Sequence, residues 1–193
     1  KVINFGVEFA KKDRLVTFGT IPNQPHTGYG YIKSENAFNP DNISGENILE
    51  FTEKPDLETA KELIKDKRYT WNSGIFLFKA KTILEEVNNY APDIFKYCKE
   101  SISKSKLDLD FQRLDKNSFL NCPDISIDFS VMEKTTKGTV LPLDVGWSDI
   151  GSWDSVWENS IKNKDGNFVK GKVLTDSTRN CYLSSEERLL VGI

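Results

Sequence analysis

NILEFTEKPDLETAKELIKDKRYTWNSGIFLFKA, residues 47–80, changes its hydrophobic period twice, and those changes decide the fold. Residues 47–55 alternate apolar and polar, the two-residue period of a strand, until Pro55 stops it. Asp56 stands where an N-cap belongs, and Leu57, Ala60, Leu63 and Ile64 share one face of a helix predicted over 57–68. Lys and Arg crowd its last turn, where they complement the helix dipole. GIFLFKA (74–80) is apolar throughout, as a strand buried in a parallel sheet would be. Strand, helix, strand is the unit of an α/β layered domain.

The alternation extends in both directions. LVTFGTI (15–21), YIKS (31–34) and TVLPLD (139–144) read as strands. Helices are predicted around 83–90 and 94–103, separated by Pro92, and over 126–134. KSKLDLDFQRLDKNS (104–118) is charged and patternless, so it reads as a solvated connection. After Asp165 the texture becomes short strands with turns: NFVKGKVLTD, NCYLSS, RLLVGI. The expected division is a layered domain over 1–160 and the start of a small β segment over 161–193. KVINFGVEFAKKDR opens as the tail of a helix, VGI closes inside an apolar run, and Met132 is the one methionine. These features predict a piece of a longer polypeptide.

The 193 residues suffice for one sizeable domain with a small appendage. A formal net charge of -3 lacks the concentrated positive field that nucleic acid or an anionic membrane requires, so neither is an expected partner. No apolar run approaches the roughly 20 residues of a membrane span, and no secretory signal opens the chain. Cys98, Cys122 and Cys181 are far apart and odd in number, which predicts no disulfide framework and a cytoplasmic location. His26 is the single histidine, so no two-imidazole metal site can form within these residues.

Four loops carry candidate chemistry. TGYGYI (27–32) contains Gly-x-Gly without the third glycine of a dinucleotide fingerprint, and a strand follows it. Its glycines fit either a tight turn or a close backbone approach to a ligand. FTEKP (51–55) puts Glu53 and Lys54 at a strand end; a regular strand would point them to opposite faces. They read as a surface pair or as groups reaching into the crevice where open α/β sheets bind ligands. In RYTWNSGIF (68–76), Asn72 offers a donor and an acceptor to a sugar hydroxyl, or opens the strand with an Asx-turn. LPLDVGWSDIGSWDSVWE (141–158) holds three of the four tryptophans. Ser152 is a natural N-cap for WDSVWE, whose Trp153, Val156 and Trp157 read as a core-facing stripe. Asp154 suits the positive end of that helix. Asp149, ahead of the cap in a turn after TVLPLD, is a candidate ligand for a hard cation such as Mg²⁺.

TGYGYI, FTEKPDLETAKELI, RYTWNSGIFLFKA, PDISIDFSVMEKT, LPLDVGWSDIGSWDSVWE and, near the end, TRNCYLSSEERLLV occur in this order over most of residues 14–191. In this the chain resembles the bacterial mannose-1-phosphate guanylyltransferases (GDP-mannose pyrophosphorylases), particularly the long form fused to a mannose-6-phosphate isomerase domain. The resemblance implies a GT-A-like, Rossmann-like nucleotidyltransferase layered sheet lacking its N-terminal part, followed by the start of a small β-helix-like segment. It implies that Gly30, with Tyr29, contacts the sugar, that Glu53 binds mannose hydroxyls, that Lys54 binds the sugar phosphate and that Asn72 helps hold the sugar. Asp149 would coordinate Mg²⁺; Lys54 and Asp149 are then the catalytic pair.

The implied substrates are mannose 1-phosphate and GTP, and a homo-oligomer is expected. In-line attack on the α-phosphate needs positioning and electrostatic stabilisation but no covalent protein nucleophile, which fits the absence of a Ser-His or Cys-His pairing. The family's Gly-rich nucleotide loop and its second metal-binding aspartate lie outside these residues. Two other readings stay open: a pyrophosphorylase for another hexose 1-phosphate, and a non-catalytic paralogue that senses a sugar nucleotide.

Overall fold

The computed structural model describes residues 1–39 and 43–193. By compactness the chain forms two units, Lys1–Val145 and Gly146–Ile193.

The first unit is built on five strands: β1 (Leu15–Thr20), β2 (Gly30–Ser34), β3 (Glu46–Glu53), β4 (Tyr69–Leu77) and β7 (Gly138–Pro142). They hydrogen-bond in the order β1-β4-β2-β3-β7, and β7 closes the sheet by pairing with both β1 and β3. Among these five strands only β1 and β7 pair in parallel. The 74–80 stretch is therefore not the buried parallel strand its composition predicts. Its residues 74–77 are the outer half of β4, antiparallel to β1 and partly exposed, whereas Tyr69–Ser73 is the buried half, and Ala80 already opens a helix. A register shift between Thr17 and Gly19 accompanies that change, and Gly74 turns left-handed at φ 70.

Every residue of β1 is buried. Val16 and Phe18 pack with Leu141 and Ala10 of α1 (Val2–Lys11). Leu15 joins Ile32, Phe51, Val131, Met132 and Val140 in a second cluster, flanked by Ile83 and Val87 of α3 (Ala80–Tyr90). A third cluster sets Ala60, Leu63 and Ile64 against Tyr31, Tyr69 and Trp71. Ala60, Leu63 and Ile64 of the predicted stripe thus dock α2 (Leu57–Leu63), while Leu57 is exposed; the helix is capped by Asp56 accepting from Thr59 N–H at 2.7 Å. The helix stops short of Arg68, whose guanidinium curls back on Asp66 at 2.7 Å and holds that carboxyl down at about 2.

Gly19 shows how tight the β1 layer is. An added Cβ there would collide with Thr70 Oγ1, lie 2.8 Å from Thr70 Cβ and 3.0 Å from Val140 Cγ2. Gly19→Ala is expected to lower the unfolding free energy by about 1–3 kcal/mol, as overpacking of a buried site does. Urea denaturation measures it, and an unchanged midpoint would contradict this packing.

Pro92 opens α4 (Pro92–Ser103), directly after α3. Two segments depart from their sequence readings. The 104–118 stretch is not a patternless connection. It folds as a small hairpin, β5 (Lys106–Asp108) with β6 (Phe111–Arg113), and leads into α5 (Lys116–Leu120), capped by Asp115. Leu109 takes φ 52 at the hairpin turn, a tolerance that no glycine advertised. The helix predicted over 126–134 is a π-helix, Asp128–Met132, in which Glu133 N–H reaches back to Asp128 O at 3.0 Å. Cys98 and Cys122, distant in sequence, lie within hydrogen-bonding reach of each other. Burial, with Cys98 beside it, raises the Cys122 thiol.

In the second unit, Ser152 caps α6 (Trp153–Glu158) by accepting from Ser155 N–H at 3.1 Å. Its tryptophans are not a core stripe. Trp153 is 76% exposed, and no residue of α6 is buried. Trp157 Nε1 donates to Gly166 O at 2.8 Å, and Trp153 lies against Tyr182. These contacts tie α6 to the β segment, so compactness divides the chain at 145/146 where the sequence reading drew its line at 160/161. β8 (Phe168–Thr175) and β9 (Tyr182–Gly192) run parallel although only residues 176–181 join them. NCYLSS and RLLVGI prove to be one strand with an irregularity opposite Gly171–Val173. A parallel pair joined so briefly forms successive turns of a coil, as a β-helix-like segment requires.

Candidate active site

The β3 end explains how Glu53 and Lys54 come to share a side. Lys54 takes a left-handed backbone, φ 46, and its N–H bonds Tyr29 O at 3.2 Å. That turn breaks the strand's alternation, and Lys54 Nζ comes back to 3.6 Å from Glu53 Oε1. The Glu53 side chain is 10% exposed and the Lys54 side chain 62%, so a nearly buried carboxylate sits beside a solvated ammonium.

Gly30 is the register partner of Glu53. A Cβ on Gly30 would lie 2.5 Å from Glu53 Oε2 and 3.4 Å from Asn72 Cβ, so the missing side chain is the space that the carboxylate occupies. Tyr29 stacks on His26 at 3.8 Å and meets the edge of Trp71. The GYG loop is thereby fixed against β4.

Asn72 is buried on β4 and its amide is committed. Its Oδ1 accepts from Thr17 Oγ1 at 2.8 Å and from Gly74 N–H at 3.2 Å. Its Nδ2 donates to Asp128 Oδ1 at 3.1 Å. The sequence expectation that this amide offers a sugar both donor and acceptor is therefore corrected. With both lone pairs of Oδ1 occupied, only an N–H remains to offer.

Asp128 is the site residue that the motifs did not single out. It opens the π-helix, where a carboxylate in a first turn reads as a dipole partner, and nothing local distinguishes the two roles. Thr17 left a fainter signal, a hydroxyl inside the buried run LVTFGTI. Burial raises the Asp128 carboxyl against the opposing influence of Lys54 and Asn72. Burial likewise raises Glu53, and the neighbouring Asp128 adds to the rise.

A carboxyl raised in the folded state makes its ionised form a cost to folding above that raised value, a cost absent below the unfolded value. Glu53→Gln is thus expected to raise the melting temperature at pH 7, and the gain should vanish as pH falls through the raised value towards the ordinary carboxylate range. Melting curves at pH 7 and pH 4 test this. A gain identical at both would contradict it.

Asp149 lies in the second unit, exposed, on the turn before α6. Its Oδ1 accepts from Gly151 N–H at 3.2 Å across Ile150, which takes φ 50. So it has a local structural role that the sequence reading missed, an Asx-type turn. Among the described residues no group of three or more His, Cys, Asp or Glu side chains could hold a metal. A single exposed carboxylate still suits Mg²⁺, which one or two carboxylates hold while phosphate oxygens and water complete its shell.

An ammonium, an amide and two carboxylates thus come together on one mixed sheet: Lys54 beside Glu53, and Asn72 bonded to Asp128. The family model for nucleotidyl transferases matches residues 3–166, and the chain belongs to that family. It is 46% identical over 200 residues to a mannose-1-phosphate guanylyltransferase of Salmonella montevideo, spanning 100% of this chain and 41% of that one. It is 43% identical to the mannose-1-phosphate guanylyltransferase of Escherichia coli K12, over 96% of this chain and 39% of that one. The chain thus spans about two-fifths of the length of the curated relatives it matches.

Among solved structures, the mannose-1-phosphate geranyltransferase from Thermus thermophilus superposes with a TM-score of 0.79 at 25% identity, covering 98% of this chain and 53% of that one. The mannose-6-phosphate isomerase from Helicobacter pylori gives a TM-score of 0.68 at 32% identity, covering 77% of this chain and 57% of that one. No helix among the described residues is long and apolar enough to cross a membrane.

Proposed function

We propose that the protein to which this chain belongs makes GDP-mannose and pyrophosphate from GTP and mannose 1-phosphate, and that these residues bind the sugar phosphate. The observation that carries the reading is the grouping of Glu53 and Asn72 against the missing side chain of Gly30, with Lys54 beside Glu53. A lysine ammonium serves a phosphate as a point charge. A carboxylate and an amide N–H serve vicinal hydroxyls as acceptor and donor. The similarity to guanylyltransferases at 46% and 43% identity supports mannose and GTP over another pair.

In the reaction, a phosphate oxygen of mannose 1-phosphate forms a bond to the α-phosphorus of GTP. The bond from that phosphorus to the bridging oxygen of the β-phosphate breaks, and pyrophosphate leaves with the electron pair. Lys54 holds the attacking phosphate and offsets its charge, while Glu53 and Asn72 fix the ring, so the chain contributes orientation and electrostatics. Bound Mg²⁺ would neutralise charge on the phosphate oxygens, with Asp149 as the carboxylate this chain offers it. Tyr29 and Gly30 would line the sugar subsite.

The likeness to the Helicobacter pylori isomerase supports a further isomerase activity carried outside these residues. A cytoplasmic location and a homo-oligomeric state belong to the same reading.

A coupled assay of the full-length protein with GTP, mannose 1-phosphate and Mg²⁺ tests the proposal. Pyrophosphate release that requires both substrates is expected. Release with glucose 1-phosphate but not mannose 1-phosphate would favour a pyrophosphorylase for another hexose, and binding without turnover a sensing paralogue.

A further inference from the structure

Asn72 has an orientation that can be deduced from its partners. Were its amide reversed, Nδ2 would face the Gly74 N–H, donor against donor, and Oδ1 would face the Asp128 carboxylate, acceptor against acceptor. Thr17 Oγ1 has an alternative acceptor in Ile75 O at 3.2 Å, so its hydroxyl alone would not decide the matter. Gly74 and Asp128 do. Gly74 is held within β4, where it takes a φ of 70. Asp128 is held differently, at the head of a π-helix whose Val131 and Met132 are buried in the core. Such wide turns recur where a helix must aim a functional group.

We infer that Asp128 is a positioning residue of the sugar site, acting through Asn72: it fixes the amide so that the remaining Asn72 N–H, and not its oxygen, meets the ligand beside the Glu53 carboxylate. This rests on the sugar-phosphate reading above and deepens it. The ligand atom facing Asn72 must then be an acceptor and the one facing Glu53 a donor, a demand that adjoining hydroxyls meet. Asp128 need not touch the sugar.

The test is steady-state kinetics of the full-length protein, with Asp128→Ala made both alone and in an Asn72→Ala background. Alone, it is expected to raise the KM for mannose 1-phosphate about tenfold, the scale of one lost buried hydrogen bond, with the KM for GTP within about twofold. In the Asn72→Ala background it should add less than about twofold, since the amide it positions is already gone. Asp128→Asn, whose amide oxygen can accept the same bond, should restore most of the loss. If Asp128→Ala fails to fold, Thr17→Val reads the same coupling from the other side of the amide. An undiminished effect of Asp128→Ala, or of Thr17→Val in its place, in the Asn72→Ala background would overturn the inference. If Lys54→Ala and Asn72→Ala themselves leave that KM unchanged, the sugar-phosphate reading has failed. If they raise it and Asp128→Ala does not, only the role given to Asp128 has failed.

Discussion

Asp149→Asn in the full-length protein is expected to cut Mg²⁺-dependent GDP-mannose formation about a thousandfold, the rate equivalent of several kcal/mol of lost charge stabilisation. The fold gives this variant unusual diagnostic value. Asn keeps a side-chain oxygen that can accept from Gly151 N–H, as Asp149 Oδ1 does at 3.2 Å. Asn also favours the same kind of turn. The structural role of Asp149 therefore survives the substitution while its charge does not. The melting temperature should stay within about a degree of wild type on that account, because the exposed carboxylate leaves no cavity and no buried orphan when neutralised. Near-normal turnover in Asp149→Asn would contradict its role with the metal.

The second large effect belongs to Lys54. Lys54→Ala should lower kcat/KM for mannose 1-phosphate by about ten- to a hundredfold, the range of a charge-assisted hydrogen bond. Its ion pair with Glu53 is long, at 3.6 Å, and the ammonium is solvated, so the pair contributes little to stability. Alanine carries the same Cβ as lysine, so the φ of 46 costs the variant nothing new. Lys54→Arg should rescue poorly, since a wide planar guanidinium replaces a compact charge in a turn shaped for the latter. A kcat/KM unchanged by Lys54→Ala would show that the phosphate binds elsewhere.

Much of this site is written in the sequence, and the missing parts share a cause. Glu53, Lys54 and Asn72 stand at ends or centres of strands whose two-residue period and stop signals are local. The capping of α2 by Asp56 and of α6 by Ser152 is local too. The strand pairing is not. An apolar run such as 74–80 looks the same whether its neighbours are parallel or antiparallel, and only the long-range register with β1 and β2 decides. Asp128 was hidden for the same reason. Its partner Asn72 is remote along the chain, and a first-turn carboxylate has an ordinary explanation at hand. The tryptophans of α6 misled in the opposite direction. Their spacing is that of a buried stripe, yet they lie on a helix of six residues, none of them buried.

A crystal structure of the full-length protein with mannose 1-phosphate bears most directly on the account. The phosphate should lie on Lys54 Nζ, with ring hydroxyls shared between the Glu53 carboxylate and Asn72 Nδ2. A sugar phosphate seated elsewhere, leaving those three side chains to water, would contradict it.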